Sequence, residues 1–213
     1  MHAGSLTVIA ATGLEARAAR AALPGLHVVR AGVALTRIRD GRCGAFETVV
    51  SCGLAGGLRD DLPTGTVLIP TEVTRPTGER LICDPELCAA LCAAARELGF
   101  EPVVAPLITS AGLVRGAARR SLAQRYAGVD METGMIQARR IAAVRVVLDT
   151  PQHELSGAWL RPWTAFAYPQ AWRELPWLAR EAPRCARIAA QVVAAALTAP
   201  TANVATSGRR NEG

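Results

Sequence analysis

Lysine is absent from this chain: all 24 basic residues are arginine, scattered among 18 acidic ones. Such usage reflects genomic base composition as readily as function, so a net charge of +6 and a pI near 9.5 do not call for a nucleic-acid partner. Cysteines Cys43, Cys52, Cys83, Cys88, Cys92 and Cys185 include no Cys-x-x-Cys pair, and no histidine is spaced to complete a zinc site beside Cys88 and Cys92. Buried free thiols are the expected state, with no metal. No stretch holds the roughly 18 uninterrupted apolar residues of a spanning helix. Glu15 follows the first short apolar run, and no basic region precedes a long one, so no signal peptide is expected and a reducing cytoplasm fits best. Internal repeats at solenoid periods are also missing.

What is present describes a globular protein. Half of the 213 residues are hydrophobic and 20% are charged, enough for one well-packed α/β domain and too few residues for two. Residues 1–198 are expected to form that domain, with 159–197 as an aromatic-rich C-terminal extension packed on it. The small, polar stretch 199–213 is expected to be disordered. Leu6 to Ala11 reads as a buried strand, broken by Thr12-Gly13 before an alanine-rich helix from Leu14 to Leu23. A strand, a glycine turn and a helix start make a ready anion site; the plainer reading of Glu15 is a charge that complements the helix dipole. Leu26–Arg30 and Val33–Ile38 read as strands, with an Asp40-Gly41 turn after them. Thr48 to Cys52 is a strand running into a glycine-rich turn over Gly53–Gly57. Asp84 caps a helix with Pro85 at its first position, running to Leu98. Arg115 to Arg125 reads as a surface helix with a solvated basic face.

The centre of the chain holds Val129-Asp130-Met131-Glu132-Thr133 and the apolar run Val144 to Leu148 that ends at Asp149. Met131 to Arg140 is expected to be helical, and Ile141 to Leu148 a strand covered on both faces. Taken singly, Asp130 reads as an N-cap and Asp149 as a turn residue. After Asp149 the composition changes: Trp159, Trp163, Phe166, Tyr168, Trp172 and Trp177 crowd together, with Pro162, Pro169 and Pro176 expected to prevent one long helix. A last amphipathic helix is expected from Pro183 to Leu197.

Three motifs in one order carry a resemblance. Ser51-Cys52-Gly53-Leu54-Ala55-Gly56-Gly57 with Pro63 to Ile69 after it, Val129-Asp130-Met131-Glu132, and Val147-Leu148-Asp149 are similar to the purine and uridine phosphorylase superfamily, which includes the methylthioadenosine/adenosylhomocysteine nucleosidases. The resemblance covers Leu6 to about Asp149. It implies a three-layer α/β/α sandwich with a mixed central sheet of the nucleoside phosphorylase type, and a homo-oligomer. It also implies cleavage of a ribose–purine bond, in which the sugar gains oxocarbenium character and the departing base negative charge. Asp149 matches the acid that protonates purine N7, which requires a raised pKa. Glu132 matches the acceptor of ribose hydroxyl hydrogen bonds, and Met131 packs on the sugar. Glu15 matches the carboxylate that activates water in the nucleosidases. Gly13 and Arg17 match a glycine and arginine that hold phosphate in the phosphorylases, with Ser51 as a second phosphate or sugar contact. Leu113 and Val114 are base-contact candidates by their place after Ser110. No cofactor is implied, and phosphate or water is the acceptor. Thr48 stands where hexameric phosphorylases carry another phosphate arginine, and Leu148 where the family often has serine.

Leu148-Asp149-Thr150-Pro151, the later Leu155 and Trp172 to Leu178 look like the hopanoid-associated nucleoside phosphorylases. That implies removal of adenine from adenosylhopane in hopanoid side-chain synthesis; peripheral contact with the inner membrane surface belongs to one reading of the aromatic stretch. The aromatic stretch reads equally as a clamp or subunit interface and as an apolar wall for a lipid-like 5′ substituent. A methylthioadenosine/adenosylhomocysteine nucleosidase and a nucleoside-binding protein without turnover are the alternatives. A dinucleotide-dependent oxidoreductase ranks low, because no Gly-x-Gly-x-x-Gly lies at the first turn.

Overall fold

The computed structural model describes residues 6–37, 46–157 and 169–198. Its spine is β3 (Phe46–Gly57), which runs parallel to β1 (Leu6–Ala10) on one side and to β9 (Ala138–Val147) on the other. At Gly56 and Gly57 the same strand turns to pair antiparallel with β8 (Gly128–Asp130). β2 (His27–Arg30) joins β1 at one edge, and β4 (Val67–Leu68) pairs antiparallel with β9. β8 continues through β7 (Leu107–Thr109) and β5 (Glu72–Thr74) to β6 (Arg80–Ile82). The sheet is mixed and the class is α/β, as the sequence leads one to expect.

Residues 141–147 of β9 are all buried, which explains its near-continuous apolar run. Ala142, Val144 and Val146 face a core that also holds Val50, Cys52 and residues of α1 (Gly13–Ala22), α2 (Pro85–Glu97) and α4 (Pro169–Thr198). Ile141 faces the other way, onto Ile9, Val49, Leu35 and Ile136. In a separate cluster α3 (Gly116–Ala123) packs Leu122 and Ala123 on Leu58, Tyr126 and Val129.

Asp84 Oδ1 accepts from Leu87 N at 3.0 Å and Pro85 opens α2, so the cap is where the composition puts it. Cys88 and Cys92 lie on the buried face of that helix.

Four local expectations are corrected. The glycine-rich segment 53–57 is not a turn but the end of β3. Residues 131–140 are not a helix: β8 is followed by a 3-10 turn, Thr133–Met135, and β9 begins at Ala138. Asp130 caps Thr133 N at 3.1 Å as at a helix start, but Thr109 Oγ1 accepts from Gly134 N at 2.8 Å and Arg145 Nε donates to Asp130 at 2.8 Å, so partners from β7 and β9 claim the segment's polar groups in place of a helix. Val33–Leu35 is a 3-10 turn rather than a strand, with Ala34 and Leu35 at φ 52° and 56°. Finally, α4 begins at Pro169, the first-turn position proline tolerates, and continues through Pro176 and Pro183. Packing of its apolar face on α1, α2, β3 and β9 outweighs the backbone bonds those prolines remove. The expectations for Asp40-Gly41, residues 159–168 and the stretch 199–213 lie outside the described residues.

Candidate active site

A cavity of about 220 Å³ opens where β1, β3 and β9 end, and Glu15, Glu132 and Asp149 all line it. Each carboxylate arrives from a different element and is held differently.

Glu15 comes from α1. Thr12 caps that helix in an extended conformation, and Glu15 completes a capping box: its Oε2 accepts from Thr12 N at 2.6 Å and from Thr12 Oγ1 at 2.7 Å. The other oxygen, Oε1, accepts from Leu54 N at 2.8 Å. The capping role and the place in the cavity thus belong to one side chain, which is 4% exposed.

Glu132 follows β8. Its Oε1 accepts from Ala34 N at 3.1 Å, from the turn with two positive-φ residues, and its Oε2 accepts from Met131 N at 3.3 Å. Burial, and after it the neighbouring Asp130, push this carboxyl up to about 7 against the pull of Arg145.

Asp149 stands just past β9. Arg119 Nη2 donates to Asp149 Oδ2 at 2.5 Å. Burial nonetheless raises the Asp149 carboxyl above the ordinary aspartate range, with Arg119 opposing and Glu154 adding to the rise. Leu148 beside it lines the cavity, spends its N–H on Ala55 O and offers no side-chain hydrogen bond.

Beneath the carboxylates lies a buried guanidinium. Arg145 Nε donates to Asp130 Oδ2 at 2.8 Å, and Nη2 donates to Ser51 Oγ and Thr133 Oγ1, each at 2.7 Å. Thr109 Oγ1 completes Asp130's shell at 2.6 Å. Glu132 Oε2 is 4.0 Å from Arg145 Nη2, and Nη1 has no hydrogen-bond partner among the described residues. Asp130 is thus more than a local cap: it is the counter-ion of Arg145.

Of the residues named from the sequence, Glu15, Glu132, Asp149, Met131, Leu113 and Val114 meet at this cavity. Gly13, Arg17 and Ser51 do not border it. Gly13 opens α1 under the guanidinium of Arg30, Arg17 is exposed, and Ser51 is 1% exposed in the Arg145 network. Sequence reading passed over Arg145 and Arg119. Arg145 carried a signal, since a charge inside a strand buried on both faces demands a buried partner. Arg119 carried none that separates it from Arg115, Arg120 and Arg125. Among the described residues no three His, Cys, Asp or Glu side chains gather as a metal site, and no helix is long and apolar enough to cross a membrane.

Mixed sheet, flanking helices and a carboxylate-lined cavity at the strand ends define an α/β protein with a site suited to acid–base work on a small molecule. The chain belongs to the phosphorylase superfamily, which matches residues 14–150, from α1 to just past Asp149. Among solved structures it is similar to a Helicobacter pylori MTAN mutant with 5′-methylthioadenosine in the active site: TM-score 0.65, 12% identity, 91% of this chain and 98% of that one. The Neisseria meningitidis 5′-methylthioadenosine/S-adenosylhomocysteine nucleosidase in complex with methylthio-immucillin-A gives 0.64 at 17% identity over 90% and 97%. A Helicobacter pylori futalosine hydrolase mutant gives 0.63 at 12% identity over 90% and 97%. The fold is the nucleoside phosphorylase type the sequence motifs imply. No curated protein matches.

Proposed function

We propose that this protein cleaves the N-glycosidic bond of an adenine nucleoside, with water as the attacking group. The observation that carries the reading is the convergence of Glu15, Glu132 and Asp149 on one cavity from three separate elements. Asp149, held toward its protonated form by burial, gives a proton to purine N7. The C1′–N9 electron pair then leaves with the base as neutral adenine, and the carboxylate left behind faces Arg119. Glu15 takes a proton from water as the water oxygen bonds C1′. Glu132 accepts from the ribose hydroxyls while Met131 packs on the ring, and Leu113 and Val114 flank the base.

Water is preferred to phosphate on electrostatic grounds. The expected phosphate ligands Gly13, Arg17 and Ser51 lie outside the cavity lining, and a dianion would have to sit beside the Glu15 and Glu132 side chains. At the 5′ end the substrate class is apolar: Val33 and Leu155 supply the wall, in keeping with adenosylhopane, whose subfamily the C-terminal segments resemble. A second reading, methylthioadenosine or adenosylhomocysteine as substrate, is favoured by the ligands bound in the similar structures.

Adenine release from adenosylhopane, methylthioadenosine and adenosylhomocysteine, each with and without phosphate in ¹⁸O-water, tests the proposal. It expects release independent of phosphate, with the label on the sugar C1 oxygen and adenosylhopane preferred. Release only with phosphate would overturn the water assignment, preference for methylthioadenosine would overturn the hopanoid assignment, and ligand binding without turnover would mark a nucleoside-binding protein.

A further inference from the structure

Arg119 is the buried side chain of α3, and its side-chain hydrogen bonds and ion pairs go to Asp149, Thr150 and Glu154, the segment that carries the acid. Besides Asp149 Oδ2, its Nη2 reaches Asp149 O at 3.4 Å, while Nη1 donates to Thr150 O at 3.0 Å and lies 3.5 Å from Glu154 Oε1. Glu154 in turn accepts from Gly116 N at 2.9 Å, at the first residue of α3 and two residues beyond Val114, and faces Arg115 Nε at 3.8 Å. The Arg119–Asp149 pair lies flat on β3 at Gly56, where a Cβ would sit 2.8 Å from Arg119 Nη2 and 3.1 Å from Asp149 Oδ1.

We propose that Arg119 and Glu154 are the positioning residues of Asp149: Arg119 orients the acid, and Glu154 ties both to the Leu113–Val114 wall. The inference rests on the reading of Asp149 as the acid. It accounts for a buried guanidinium spent on one loop, and for the tolerance of Leu148 at a position that gives Asp149 no hydrogen bond. The charged groups facing the acid are Arg119 from α3 and Glu154 from its own loop, with Arg115 beyond Glu154 and the carboxylates of Glu15 and Glu132 across the cavity. Glu154 offsets part of the charge of Arg119, so removing it leaves the guanidinium to favour the Asp149 carboxylate.

The test compares Glu154→Gln, Arg119→Gln, Arg119→Lys and Asp149→Asn with wild type, following kcat and KM against pH for whichever nucleoside of the panel above is turned over. Glu154→Gln is expected to move the alkaline limb of kcat to lower pH by about 0.5 unit or more with KM unchanged. Arg119→Gln is expected to lower kcat roughly 10- to 100-fold and move that limb upward, while Arg119→Lys restores the limb but not the full rate. Wild-type kcat and an unmoved limb in folded Glu154→Gln and Arg119→Gln overturn the inference. Should the Arg119 variants not fold, Glu154→Gln, at a partly exposed loop position, decides alone. If Asp149→Asn keeps full release, or no nucleoside is turned over, the acid assignment and this inference fall together. If Asp149→Asn abolishes release while Glu154→Gln behaves as wild type, only this inference falls.

Discussion

Glu15 and Arg145 flank the bare Cα of Gly53: a Cβ there would sit 2.5 Å from Arg145 Nη1 and closer still to Glu15 Oε1. Neither side chain has room to retreat, since Glu15 is held by Thr12 and Leu54 and Arg145 by Asp130, Ser51 and Thr133. Gly53→Ala is therefore expected to destabilise the fold by roughly 1–3 kcal/mol through overpacking. By displacing Glu15 it should lower adenine release on the order of 100-fold. Denaturant unfolding and a rate assay on the same preparation check both, and a variant as active as wild type would mean that the two groups can part freely.

Arg145 and Asp130 are each almost wholly buried, so removing one strands the other. Arg145→Met is expected to cost about 3–5 kcal/mol, with part of the loss recovered when Asp130→Leu is added. A double-mutant cycle in urea measures the coupling. Additive losses would contradict the pairing.

Glu132 gives the fold a pH signature. Its carboxyl is raised from 4.5 to about 7. Within that window the native chain keeps a proton the unfolded chain has released, so this group's contribution to stability is complete below it and is lost as pH rises through it. Glu132→Gln, which cannot ionise, should flatten that part of the stability–pH curve. Urea unfolding of both proteins across the window shows the difference, and parallel curves would contradict the raised value.

Thiol chemistry reports on the core. Burial pushes Cys52 up to about 12 and Cys185 up to about 11, and Cys83, Cys88 and Cys92 are buried as well. Alkylation of the native protein near pH 8 should leave peptides bearing these five cysteines unmodified, while the unfolded chain reacts at all of them. Rapid native labelling of Cys52 would mean that the sheet core opens.

Much of this was legible because local chemistry and global packing agree. Asp84-Pro85 signals the start of α2, and the apolar run into Asp149 signals a central strand. Glu132 and Asp149 could be placed at one edge of the sheet from the sequence, and both line the cavity there. What escaped depends on partners distant in sequence. Gly53 and Gly56 look like turn glycines, but they are bare because Glu15 and Arg145 cross one and Arg119 and Asp149 the other. The segment after Asp130 scans as a helix start, yet Arg145, from the following strand, and Thr109, from an earlier one, claim its polar groups. Arg119 shares a basic helix with exposed arginines, and only the fold distinguishes the one that turns inward.

The central claim is that Asp149 protonates a departing adenine. Its most direct test is the quantity of free adenine formed by wild type and by folded Asp149→Asn from the same nucleoside at neutral pH. The account predicts turnover by wild type and a loss on the order of 100- to 10,000-fold in the variant. Equal adenine release by the two proteins would contradict it.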